Sequence, residues 1–187
     1  AQSATEDIPL VFSTGNGNAI SIADADVATL DLRLTLSATN GTLTLAITTG
    51  LTFNAGGDGS GSMTVTGTRA NLNTALNGLR FDPSPDYGGA ASLSVAVDDL
   101  GNTGAGGALG DSETIGITVV GANDAPVITS DGGGATASVS VPENSLLVTD
   151  VEAVDIDIPA PTLAYSIAGG ADAGRFTIDG LSGVLSF

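Results

Sequence analysis

Apolar residues in this chain recur at every second position in short runs, and glycine, asparagine and aspartate separate the runs. Leu32, Leu34 and Leu36 do so in DLRLTLS, Leu43, Leu45 and Ile47 in GTLTLAI, and Met63 and Val65 in SMTVTG. The pattern returns as Leu93, Val95 and Val97 in SLSVAVDD, then as Ile115, Ile117 and Val119 in ETIGITVV. A period of two puts one set of side chains on one face of an extended strand, so these runs predict half-buried strands. Glycine fills 27 of 187 positions, which suits tight turns between short strands better than long helices. Asn40-Gly41 lies between two runs, where a type I′ hairpin turn is expected. One segment departs from the rule. TRANLNTALNG spaces Leu72, Ala75, Leu76 and Leu79 as a helix does, with Thr68 as N-cap and Gly78 as C-cap.

Pro126 in GANDAPVI cannot donate to a ladder and biases Ala125 to an extended conformation, which marks a boundary. A second alternating series follows, with Val139 and Val141, then Leu163, Tyr165 and Ile167, then Phe176 and Ile178, then Val184 and Leu185. The two stretches, 1–122 and 123–187, read as repeats of each other. Glu6 of TEDIP precedes Asp24-Ala-Asp26, Glu143 of VPEN precedes Asp155-Ile-Asp157, and each D-x-D leads into alternating strands at an offset of about 130 residues. The second unit has only 30 residues after Asp157, so its strands matching Leu93–Val97 and Ile115–Val119 are missing. An incomplete sandwich exposes a face and an edge. Either a longer polypeptide continues it, or a neighbouring copy donates strands to it.

Charge and composition remove whole classes of function. Four arginines and no lysine stand against 21 carboxylates, a formal charge of −17, which disfavours nucleic acid and anionic membrane surfaces as partners. No apolar run approaches the ~20 residues of a membrane span, and no signal peptide is present. The chain reads as a mature segment of a secreted, extracellular, cell-surface protein. Cysteine and histidine are absent, which excludes thiolate and imidazole catalysis, disulfides and most zinc and haem sites. Oxygen ligands for a hard cation remain, as does a carboxylate-pair glycosidase.

The acids concentrate at strand ends and at the junction, as Glu6-Asp7, Asp24/Asp26, Asp82/Asp86, Asp98-Asp99 and Asn123-Asp124. Two unit charges about 6 Å apart repel by about 3 kcal/mol at an effective dielectric near 20, so such packing calls for a compensating cation. Calcium accepts six to eight oxygens from carboxylates, amides and backbone carbonyls at roughly 2.3–2.6 Å. Other features read as structure alone. GGDGSG at 56–61 reads as a hairpin tip, Asn40-Gly41-Thr42 as a turn more than a glycosylation sequon, and Asp98-Asp99 as neighbours on opposite strand faces.

The motifs VPEN (141–144), AVDID (153–157) and LAYSIAGGADAGRFTIDGLSGVLSF (163–187) resemble a cadherin-like repeat of bacterial surface adhesins. GANDAPVI resembles that family's inter-repeat linker, D-x-N-D-N-x-P. EDIPL, SIADAD, TGTRANLNTALNGLRFDP, YGG and LSVAVDDLGNTG resemble a related repeat of large repetitive bacterial proteins. The resemblance implies an all-β protein of tandem cadherin-like, immunoglobulin-like Greek-key β-sandwiches. The first (1–122) carries one short helix and the second (123–187) is incomplete. It implies calcium ligands Glu6, Asp86 and Asp124 at the base of unit one, with Asn123 in the linker. Asp155 and Asp157, with a backbone carbonyl near Asp172, form the top of unit two, and the two sets meet at the linker. Asp24, Asp26 and Asp99 are implied ligands toward a preceding repeat, and Glu143 toward a following one. Gly121 replaces the first linker aspartate and Ser84 the first acid of the family's D-x-E, which implies one or two ions per junction rather than three.

These readings together make the chain a calcium-rigidified, adhesive repeat segment of a bacterial surface adhesin or filament, without enzymatic activity. Its partners are neighbouring repeats or copies of the chain and a cell-surface or matrix ligand. A carbohydrate-binding module is the alternative, opposed by an aromatic content of 4%.

Overall fold

The alternating runs form strands. The computed structural model describes residues 1–25, 27, 29–102, 107–157 and 159–187, and the chain divides into two units, Ala1–Ala122 and Asn123–Phe187. In the first unit, β1 is Gln2–Thr5, β2 Leu10–Phe12, β3 Asp31–Thr39, β4 Gly41–Thr44, β5 Thr52–Gly56 and β6 Ser62–Thr68. Helix α1 is Arg69–Leu76, followed by β7 Leu79–Pro83, β8 Gly89–Asp98 and β9 Gly110–Val120. Among the described residues these make a six-stranded sheet, β1-β9-β8-β3-β6-β5, and a three-stranded sheet, β2-β7-β4.

Register explains the sandwich. Leu34 of β3 lies opposite Val65 of β6 and Val97 of β8, and Leu36 opposite Met63 and Val95, so one face collects the apolar side chains. In the second sheet Phe81 lies opposite Leu10 and Leu43, and Leu79 opposite Phe12. The two faces meet in one core with Leu72, Ala75 and Leu76 of α1. Burying a side chain such as Leu34 or Phe81 contributes about 1.5–3 kcal/mol. The Thr68 hydroxyl caps the helix by accepting from the Asn71 N–H. Its C-cap is Asn77 rather than Gly78, which follows at φ +116°.

Asn40-Gly41 is not a hairpin turn. Both edges of β3 are taken, by β6 and β8, so β4 cannot pair with β3 and joins β7 in the other sheet. Asn40, at φ 54°, is therefore a corner at which the chain changes sheets. Its side-chain amide donates to the Tyr87 hydroxyl at 2.8 Å and to the Ala90 carbonyl at 3.0 Å. The alternation in GTLTLAI also ends early: β4 stops at Thr44, and Ile47 is exposed.

The second unit has β10 at Val127–Ile128, β11 at Leu147–Asp150, β12 at Ala153–Val154, β13 at Thr177–Ile178 and β14 at Val184–Ser186. β10 pairs with β12, and β11-β14-β13 form a small sheet. The expected strands at Val139–Val141 and Leu163–Ile167 do not form ladders. Among the described residues no strand pairs with them, and the Tyr165 N–H donates to the carbonyl of Gly180, a turn residue, at 3.0 Å. Gly183 is the one buried residue among the described residues of this unit, and every residue of the hydrophobic core belongs to unit one. The protein is all-β apart from α1 and two single 3₁₀ turns, among the described residues.

Candidate metal centre

The site at the exit of unit one grows from its first and last strands. β1 runs parallel to β9, with Thr5 opposite Val120, and the ladder ends as the Glu6 N–H donates to the Val120 carbonyl at 3.0 Å. The parallel register fixes Glu6 beside the segment leaving β9. Its carboxylate accepts a short hydrogen bond from the Ala122 N–H through Oε1. Glu6 is 5% exposed, the one buried charged residue among the described residues. The loop at Ser84–Gly88 packs against the same exit, since a Cβ on Gly88 would come within 3.3 Å of Gly121 N and Cα. Asp86 sits in this loop at φ 55°, and its N–H donates to Asp7 Oδ1 at 3.4 Å. Asp7 itself is at φ 57°. Left-handed backbone suits aspartate among non-glycine residues, and here two such corners bring acids together at one end of the unit. Asp7 belongs with Glu6 and Asp86, although the resemblance implied no role for it. Its signal in the sequence was adjacency to Glu6.

In unit two the D-x-D segment folds on itself. The Asp157 N–H donates to Asp155 Oδ1 at 3.0 Å, and the Asp124 N–H donates to Asp157 Oδ1 at 3.2 Å. Asp155, Asp157 and Asp124 are half-buried. Asn123 turns its side-chain amide to the Asp124 carbonyl at 3.0 Å. Among the described residues, neither unit by itself brings three carboxylates within reach of one ion. Each donor set is all oxygen, with carboxylates predominating, which is the chemistry of a hard cation such as calcium and not of a soft one.

The remaining candidates lie elsewhere. Asp24 Oδ1 accepts from the Val27 N–H at 3.0 Å, and Asp26 lies outside the described residues. Asp99 closes its loop, accepting from the Gly101 and Leu109 N–H groups at 2.8 Å each. Asp172 is exposed in an ion pair with Arg175 at 3.1 Å, and its carbonyl accepts from the Arg175 N–H at 2.9 Å. Glu143 is exposed beside Asn144, which has φ 65°. Two acids of the sequence clusters have cationic partners, Asp98 with Arg33 at 3.0 Å and Asp82 with Arg80 at 2.7 Å. The hydrogen bond and the charge of Asp82 raise the Arg80 pKa. Asp58, in GGDGSG, accepts from the Leu45 N–H at 2.8 Å and so holds the hairpin tip over the end of β4.

No protein-family profile matches the chain, and no curated protein matches it. Among solved structures it is similar to a mouse cadherin-23 fragment, repeats EC22–24, at 19% identity over 99% of this chain and 50% of that one, with a TM-score of 0.45. It is also similar to protocadherin gamma B2 extracellular cadherin domains 3–6, at 19% identity over 98% of this chain and 40% of that one, with a TM-score of 0.37. The chain thus spans about half the length, or less, of the solved structures it matches.

Proposed function

We propose that the chain is a cadherin-like adhesive repeat segment of a bacterial extracellular protein, held rigid by calcium at its junction and without enzymatic activity. The observation that carries this reading is the buried Glu6 carboxylate, anchored to the last amide of unit one. Two residues further along the chain, Asp124 opens a second oxygen set with Asp155 and Asp157. Glu6, Asp7 and Asp86 on one side and Asp124, Asp155 and Asp157 on the other are the ligands, with the Asn123 side chain and linker carbonyls as supplementary donors. Calcium would supply the positive charge that lets these carboxylates lie together and would stiffen the linker against bending. Asp24, Asp26, Asp99 and Glu143 serve the junctions to further repeats in the same way.

Unit two is completed by the continuing chain or by strands of a neighbouring copy. Support comes from its exposed Val127, Ile128, Leu147, Val154 and Phe187 and from a groove of about 310 Å³ lined by Pro126, Ile128, Val151, Leu163, Tyr165 and Ile178. The functional test is calcium calorimetry on the wild type and on Asp124→Ala. Removing a central ligand should weaken binding at least tenfold, and equal affinity would take the linker out of the calcium site.

A further inference from the structure

An asparagine side chain meets the next main-chain nitrogen most readily when glycine follows, because glycine puts no Cβ in the way and its backbone turns freely. The chain holds three such dipeptides, Asn16-Gly17, Asn40-Gly41 and Asn77-Gly78. Alike in sequence, they are held differently. The Gly78 N–H donates to the Phe12 carbonyl at 2.8 Å, Asn77 Oδ1 accepts from the Thr14 N–H at 2.9 Å, and a Cβ on Gly78 would lie 2.9 Å from that of Ala46. Gly41 lies opposite Pro83 in the β4–β7 ladder, where a Cβ would meet the Phe81 ring, and the Asn40 amide is tied to the Tyr87 hydroxyl and the Ala90 carbonyl. Neither of these two can rotate without breaking a tie to the sandwich. Asn16 and Gly17 are both exposed, in a turn at residues 13–18. The Gly17 N–H reaches the Thr14 carbonyl only at 3.3 Å, and a Cβ on Gly17 would have nothing within 4 Å. The Asn16 amide is restrained at the surface by its bond from Nδ2 to the Val11 carbonyl at 3.0 Å.

We propose that Asn16 is a self-modification site, converting to aspartate and isoaspartate with water as the co-reactant. The Gly17 nitrogen bonds to Asn16 Cγ and gives up its proton, the Cγ–Nδ2 bond breaks, and Nδ2 leaves with that proton as ammonia. A cyclic imide remains. Water opens it at Cγ to leave aspartate, or at the main-chain carbonyl carbon to leave isoaspartate, whose backbone runs through Cγ. The sum is loss of ammonia and gain of water, with nothing oxidised or reduced. Isoaspartate lengthens the turn by one main-chain atom. That turn holds the Ser13 N–H on Asn18 Oδ1 at 3.0 Å, and Asn18 Nδ2 in turn donates to Gln2 Oε1 of β1 at 3.2 Å, so its distortion loosens a tie on the first strand. Neither calcium nor adhesion enters the reaction.

The test holds the whole chain in mildly alkaline buffer and, in parallel, in concentrated urea. Peptide mapping by mass spectrometry follows the amide-to-acid change at each asparagine, and enzymatic methyl transfer counts isoaspartate. In buffer Asn16 should convert at least about tenfold faster than Asn40 or Asn77, because a structured site reacts only through its local opening. In urea those ties are gone and the three rates should converge. Asn40 or Asn77 keeping pace with Asn16 in buffer, or Asn16 reacting about tenfold more slowly in buffer than in urea, would overturn the proposal. Gly17→Ala puts a Cβ beside the attacking nitrogen and should slow conversion at Asn16 in both media. The urea arm keeps that result independent of folding, and an unchanged rate there would overturn attack by the Gly17 nitrogen. The isoaspartyl fraction, separated by ion exchange, should melt below both the fresh protein and Asn16→Asp, which adds the charge without the extra backbone atom. Equal melting of all three would overturn the loosening of β1.

Discussion

Glu6→Gln separates the two roles of the buried carboxylate. Glutamine keeps the length of the side chain and an Oε1 that can accept from the Ala122 N–H, so the anchor at the end of unit one survives. It removes the negative charge that calcium requires. Extracellular calcium sites have dissociation constants of about 10⁻⁴–10⁻³ M, so about 10 mM calcium stabilises a site by roughly 1.4–2.7 kcal/mol through linkage. Unit one runs from Ala1 to Ala122. At about 2.1 cal/mol/K per residue its unfolding entropy near the midpoint is roughly 0.26 kcal/mol/K, which converts that stabilisation into a Tm rise of about 5–10 °C.

The variant should behave in opposite ways in the two conditions. In EDTA a buried carboxylate carries a desolvation penalty that the neutral amide lacks, so Glu6→Gln should melt at the wild-type temperature or slightly above it. In calcium it should melt below the wild type, with less than half of the wild-type shift. Calorimetric scans with EDTA, about 10 mM calcium and about 10 mM magnesium decide the matter. A calcium shift equal in the two proteins would refute the role of Glu6 as a ligand. No shift in either protein would refute a structural calcium site as a whole.

Gly41→Ala should destabilise unit one by about 2–4 kcal/mol in urea unfolding, because a Cβ there would lie 2.4 Å from the Phe81 ring and 2.5 Å from the Asp82 carbonyl; a neutral result would mean the sheet-changing corner yields easily. Asn73→Ala should cost about 1–3 kcal/mol by freeing both main-chain groups of Ile22, and hydrogen exchange at Ile22 should accelerate with it. The Ser182 N–H and then the Leu181 N–H hold the Asp179 carboxyl below the usual aspartate range. Its contribution is present above the unfolded pKa and is lost as pH falls through the lowered folded value, so an NMR titration should place its midpoint below those of other exposed aspartates. The fragment Asn123–Phe187 alone should melt without a sharp transition and bind a hydrophobic dye, whereas a cooperative monomeric melt would show it to be self-sufficient.

Periodicity carried most of unit one into the sequence because there it had a partner surface to act on. Leu32, Leu34 and Leu36 alternate, and each is buried because β6 and β8 flank β3 while Phe12, Leu43 and Phe81 close the opposite face. The helix was legible for the same reason, since Leu72, Ala75 and Leu76 fill the core at a different period. What alternation cannot encode is the partner. Asn40-Gly41 has the local chemistry of a hairpin, yet the two edges of β3 were already taken by residues about 25 and 55 positions further on, and the corner became a change of sheet. In unit two Val139, Val141, Leu163 and Tyr165 alternate in the same way, but among the described residues no ladder forms at them.

The candidate site divides along the same line. Glu6 and the Asp155/Asp157 pair stand out in the sequence as acids within short motifs, and their hydrogen bonds are local or close to strand ends. Asp7 and Asp86 are 79 positions apart and meet only because the parallel β1–β9 register and the packing of Gly88 on Gly121 fold two left-handed corners to one end. A carboxylate cluster made this way depends on a completed core, since Ala4, Ile117 and Val119 must be buried before Glu6 can reach the Ala122 amide. In unit two the acids are bound together by their own turn and owe little to a core. Core substitutions such as Ile117→Ala should therefore damage the Glu6 side of the site first, leaving the Asp124–Asp157 bond intact. The two acid sets then differ in kind: that of unit one rests on its buried core, and that of unit two rests on its own local turn.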